Sequence, residues 1–114
     1  MAEATKNIMI YGHLDKQPYD EPWGEGLSPT EPVIKDERLY GRGSSDDGYA
    51  AFSCFLAIKA AQIQGANLPR IVLCLETEEE SGSPNLISQL AAAAQVIKVP
   101  DLCFCLDSGC LDYE

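Results

Sequence analysis

Three short apolar runs constrain this chain more than anything else in it: NIMIYG at 7–12, RIVLCLE at 70–76 and DLCFCLD at 101–107. Each is short and nearly unbroken, the pattern of a strand covered on both faces. Helix-length stretches separate the second run from its neighbours. Over 47–64 the apolar residues Ala50, Ala51, Cys54, Phe55, Ile58 and Ala61, with Phe52 and Leu56 beside them, leave little polar face, and Gly65 is a natural stop. Such a helix should be buried on most sides, and it needs more partners than this chain offers. A second helix is expected over 81–95, with Ser83 as N-cap and Pro84 at the first helical position. Strand, helix, strand, helix, strand predicts an α/β unit in a three-layer arrangement with a parallel sheet. The stretch 16–37 holds four prolines and two glycines without helical period, and reads as a long ordered loop. Residues 37–40 then form a short extended lead into a glycine turn.

Open parallel sheets collect ligand groups at the carboxyl ends of their strands. His13, Glu79, Glu80 and Asp107 all sit there, scattered in sequence but expected to converge in space. The glycine turn, LYGRGSSDDGYA at 39–50, adds Asp46 and Asp47 just before the long helix. A glycine turn that opens a helix usually suggests phosphate, because its free N–H groups attract anions. Adjacent aspartates repel phosphate and fit a hard or borderline cation better. The plainer alternative is an acidic helix cap. His13 is the only histidine, and Asp15 lies two residues on. Ligating imidazoles usually carry a carboxylate or carbonyl on the second nitrogen, so the pair favours ligation over a structural histidine. Trp23 either covers a pocket or pins the loop to the core. Arg42 reads as structural, pairing with nearby acids. Glu76 and Glu78 read as solvated or salt-bridged.

The 114 residues suffice for one core, and 8 basic against 18 acidic residues give a net charge of -10. That balance disfavours nucleic acid and anionic membranes as partners and favours metal cations or simple solubility. No apolar stretch approaches the roughly 18 to 20 residues that span a bilayer. The opening MAEATKN lacks the basic-then-apolar pattern of a signal peptide. The cysteines Cys54, Cys74, Cys103, Cys105 and Cys110 form no CxxC pair. Most lie in apolar runs, so buried free thiols in a reducing, cytoplasmic compartment are expected rather than a thiolate zinc site.

Four polar clusters recur in order: YGHLDKQP at 11–18, GRGSSDDG at 41–48, ETEEESGS at 76–83 and LDSG at 106–109. Together they resemble the co-catalytic zinc exopeptidases that include carnosinase-like dipeptidases, aminoacylase and carboxypeptidase G, over 8–112. The resemblance implies two divalent metal ions, zinc or else manganese or cobalt. Asp46 would bridge them, its following peptide commonly cis. His13, Asp46 and Asp107 would hold one ion, Asp46 and Glu80 the other, and Asp15 would orient His13. Glu79 would act as general base, taking a proton from the attacking water and returning it to the leaving amine. In a run of three glutamates a shift of one residue stays open, although the following Ser81-Gly82 sets the register. The implied substrates are dipeptides or short peptides, with no nucleic acid or membrane partner, and the full-length parent would be a homodimer.

DDGYA departs from the many relatives that carry a lysine before the glycine, which bears on substrate class. The expectation is the central part of a metallopeptidase catalytic domain at 1–114, without the family's N-terminal part, lid or dimerisation domain, and C-terminal part with its last metal-binding histidine. A non-catalytic metal-binding module and a purely structural α/β fragment are the alternatives.

Overall fold

The computed structural model describes residues 6–19 and 22–107. Its elements run β1 Asn7–His13, β2 Val33–Lys35, β3 Arg38–Tyr40, α1 Tyr49–Ile63, β4 Arg70–Glu76, a 3₁₀ turn Glu79–Ser81, α2 Leu86–Ala92, α3 Ala94–Ile97 and β5 Leu102–Cys105. The three apolar runs form one parallel sheet in the order β4-β1-β5. Ile8 is in register with Ile71 and Leu102, and Ile10 with Leu73 and Phe104, so apolar positions share a face across all three strands. α1 packs on that face: a Cβ on Gly12 would lie 2.6 Å from both Ala50 Cβ and Asp47 Oδ2. Asn7 and Arg70 point to the other face. There Asn7 Nδ2 donates to the carbonyls of Ile97 (2.9 Å) and Val99 (3.1 Å), and Arg70 donates to those of Val96 and Ile97. Helices therefore meet both faces, and the α/β sandwich with a parallel sheet is borne out. Asp101 closes the amino end by accepting from the Asn7 backbone N–H at 2.7 Å. The carboxyl ends of the strands are left for other work.

Several local expectations are corrected. The stretch 16–37 is not all loop: β2 pairs antiparallel with β3 through a two-residue turn, Asp36-Glu37, with φ of 51° and 61°. The helix expected over 81–95 starts later, at Leu86 after Asn85, and it pauses at Ala93 before α3. Ser83 cannot be its N-cap, because its φ of 51° lies in the left-handed region and its hydroxyl is used elsewhere. α1 follows Gly48 rather than a capping Asp47. No cis peptide occurs among the described residues, so the Asp46–Asp47 bond is trans, against the expectation.

α1 is not covered on most sides either. Only Ala50 and Cys54 are buried on it, while Phe52 (77 % exposed), Phe55, Leu56 and Ile63 face outward. The described cysteines are free as expected, yet Cys103 and Cys105 are exposed, on β5, one of the two edge strands among the described residues. Cys110 lies outside them.

Candidate metal centre

His13 ends β1, one residue beyond the expected strand, and is completely buried. Its Nδ1 lies 3.0 Å from the Asp15 carbonyl oxygen and 3.4 Å from Asp15 Oδ1. Its Nε2 faces a ring of carboxylates: Asp46 Oδ1 at 2.9 Å, Glu79 Oε2 at 3.8 Å and Asp107 Oδ1 at 3.9 Å. The glycine turn supplies Asp46, the 3₁₀ turn after β4 supplies Glu79 and Glu80, and the segment after β5 supplies Asp107. These four segments meet because parallel strands place all their carboxyl ends on one edge.

Among the described residues, two groups of donor atoms come within 4.8 Å of one another, His13 with Glu79 and Asp107, and His13 with Asp46 and Glu80. All five residues expected around the metals and the base are thus brought together. Their grouping differs from the expected set of His13, Asp46 and Asp107, since Asp107 sits with Glu79, and Asp46 with Glu80.

Asp15 does more than face the imidazole. Its carboxylate accepts the backbone N–H groups of Glu79 (3.2 Å) and Glu80 (3.0 Å), so one side chain ties β1 to the acidic turn. Gln17 Nε2 donates to Glu80 Oε2 at 2.6 Å and aims that carboxylate. Beneath the site Asp47 is buried, and its Oδ2 accepts the His13 backbone N–H at 3.1 Å. Arg42 donates to the Pro18 carbonyl at 2.9 Å and lies over the Trp23 ring, 5.9 Å from its centroid, which pins the loop.

The electrostatics follow from this crowding. Burial lowers the affinity of His13 for a proton, but the Asp15 carbonyl and the Asp46 carboxylate outweigh it, and the net pKa is above the ordinary histidine value. Burial pushes Glu79 up, and the charge of Asp107 adds to it. Asp107 is raised by burial and by the charges of Asp46, Asp47 and Glu80. For Asp15 burial is outweighed by the backbone N–H groups of Glu80 and Glu79, and its pKa is lowered.

One imidazole and four clustered carboxylates form a donor set suited to zinc or manganese. The imidazole turns Nε2 toward the carboxylates while Nδ1 is engaged, the arrangement in which a ligating histidine is held by an outer partner. The residues present fit a divalent cation. Three contributors escaped the sequence reading: Gln17, Asp47 in its actual role, and Glu76. Glu76 ends β4 opposite His13 and is only 5 % exposed, not solvated. Its position as the last residue of an apolar run was the available signal.

The profile of Peptidase family M20/M25/M40 matches residues 9–111, and the chain belongs to that family. The Cys-Gly metallodipeptidase of Candida albicans is 39% identical over 100 residues, covering 81% of this chain and 20% of that protein. The human Beta-Ala-His dipeptidase is 35% identical over 84 residues, covering 72% of this chain and 17% of its own. Among solved structures, an M20 family metallo-carboxypeptidase from Sulfolobus solfataricus superposes with a TM-score of 0.80 at 32% identity, over 96% of this chain and 25% of that one. Human carnosine dipeptidase 1 gives 0.77 at 29%, over 95% and 24%. The chain therefore spans about a sixth to a quarter of the length of these relatives.

Proposed function

We propose that this chain carries the metal-binding and proton-transfer half-site of a metallo-exopeptidase acting on dipeptides or short peptides. One observation carries the reading: a buried His13, tied through Nδ1 to Asp15, turns Nε2 toward carboxylates from three other segments. Bound divalent cations would polarise the scissile carbonyl and acidify water. His13, Asp46, Glu80 and Asp107 would hold them. Glu79, held above the ordinary carboxylate range by burial and by the charge of Asp107, is suited to accept the proton of the attacking water and pass it to the leaving amine. Asp15 acts as a positioning residue, fixing the imidazole and the Glu79–Glu80 backbone together. The family relatives named for Cys-Gly and Beta-Ala-His hydrolysis support amide substrates of dipeptide size. The free thiols support a reducing, cytoplasmic setting.

Both donor groups draw on the one histidine, and a single imidazole nitrogen serves one ion. This chain alone is therefore expected to hold one cation weakly and to hydrolyse dipeptides negligibly. Calorimetric titration with zinc and with manganese, beside a dipeptide assay, tests this on the chain and on His13→Ala. Equal affinity in the two proteins removes His13 from the site. Brisk turnover by the chain alone overturns the half-site reading.

A further inference from the structure

Glu76 is a buried acid that this chemistry does not use. It ends β4, in register with His13 on the neighbouring strand, and its backbone carbonyl accepts the Leu14 N–H at 2.8 Å. Its Oε1 accepts two hydroxyls at once, the Tyr11 phenol and Ser83 Oγ, the latter at 2.8 Å. Both partners are neutral hydroxyls rather than a cation. Burying a carboxylate on those terms is unfavourable unless the bonds it makes matter to the rest of the structure.

What the bonds connect is specific. Tyr11 lies on β1, two residues before His13. Ser83 lies just past the 3₁₀ turn that presents Glu79 and Glu80. Ser83 is also held at a φ of 51°, directly after Gly82 at 89°, and its backbone N–H donates to the Glu78 carbonyl at 2.8 Å. Serine disfavours this left-handed conformation, and such residues persist where their surroundings over-determine them. Here the hydroxyl bond to Glu76 does so. The turn is consequently gripped at both ends, by Asp15 on the Glu79 and Glu80 amides and by Glu76 on Ser83.

We propose that Glu76 is a positioning residue, which through Tyr11 and Ser83 keeps the Glu79–Glu80 turn in register with His13 before any cation arrives. This rests on the half-site reading above. Single atoms displaced at a metal centre by loss of outer partners weaken cation binding on the order of 10-fold or more. A passive structural clamp would affect stability instead.

The experiment uses the full chain with Tyr11→Phe, Ser83→Ala, Ser83→Gly and His13→Ala. It measures zinc and manganese affinity by calorimetry, and hydrogen exchange at the Glu79 and Glu80 amides without metal. Ser83→Gly is the decisive variant, because it relieves the backbone strain while deleting the hydroxyl. The proposal expects its thermal stability to hold, its cation affinity to fall about 10-fold and its turn amides to exchange faster. Tyr11→Phe should act in the same direction. Unchanged affinity and exchange in Ser83→Gly and Tyr11→Phe, with binding abolished in His13→Ala, overturn the proposal and leave the half-site standing. If His13→Ala binds like the parent, the half-site reading fails. The metal-free exchange then decides alone: faster exchange supports the positioning role of Glu76, and unchanged exchange overturns it.

Discussion

At His13 two bonds compete for a limited supply of protons. With Nδ1–H donated to the Asp15 carbonyl, Nε2 can donate to Asp46 at 2.9 Å only if the ring is an imidazolium. A cation would replace that second proton. His13 has a folded pKa above its unfolded value, so its contribution to metal-free stability is complete below about pH 6.5. It is lost as pH rises through the raised value. Glu79 and Asp107 are raised too, so their contribution is fully present only below about pH 4 and is lost on the way up through their own values. Asp15 and Asp101 run the other way, stabilising above about pH 4 and failing as pH falls through their lowered values. Scanning calorimetry of the metal-free chain should show its midpoint highest on the acid side of neutrality and falling toward about pH 8. His13→Ala should flatten the fall above about pH 6; a midpoint rising steadily from about pH 5 to 8 contradicts the assignment. Gly12→Ala probes the floor of the same site, where the new Cβ would meet Ala50 and Asp47 at 2.6 Å. A loss of about 1–3 kcal/mol is expected in denaturant titration. Most of the cluster was legible in the sequence, because polar residues that end apolar strands stand out. Glu76 was passed over although it ends an apolar run, because three further acids follow within four residues and drew the reading to themselves.

Elements were legible where their pattern was long or uniform. The strands at 70–76 and 101–107 and the helix at 47–64 appear within a few residues of their expected limits, because an apolar run that must be covered has few alternatives. The hairpin and the late start of α2 were hidden because both depend on residues at positive φ that carry no glycine signal. Asp36-Glu37 has the two positive φ values of a type I′ turn, for which Asn-Gly is preferred. Replacing Glu37 with glycine should therefore remove left-handed strain of about 1 kcal/mol. Protection of the β2–β3 amides against hydrogen exchange should rise accordingly. Slower formation or weaker protection of this hairpin in Glu37→Gly would show that the turn conformation is not the limiting term. Ser83 was misread for the same reason: Ser-Pro at the start of an apolar stretch normally announces a helix, but here Glu76 recruits the hydroxyl first.

For the whole molecule two features act together, a net charge of -10 and an apolar helix face that the described residues leave exposed. Phe52, Phe55, Leu56 and Ile63 line the outer side of α1, and their exposure contributes nothing to the core that holds the sheet. The chain's stability thus leans on the sheet and on the edge where the carboxylates gather. Among those, Asp46, Glu79, Glu80 and Asp107 carry like charges at short range around the His13 imidazole, an arrangement that opposes folding until a cation compensates it. A cation that binds only the folded chain adds RT ln(1 + [L]/Kd), about 2.7 kcal/mol at a hundredfold excess over Kd. For a domain of this size that corresponds to a midpoint shift of roughly 10 °C or more. Zinc or manganese at that excess should raise the midpoint, and a chelator should reverse the rise. General screening of the acidic surface predicts a different result, in which sodium chloride at matched ionic strength does the same. His13→Ala separates the two cleanly, since it leaves every surface carboxylate in place while deleting the nitrogen at the centre. The expected outcome is a zinc-dependent rise in the parent chain that is largely absent in His13→Ala, with the sodium chloride response equal in both. A zinc response that survives the substitution would assign the stabilisation to diffuse charge on the surface and not to the cluster at the strand ends.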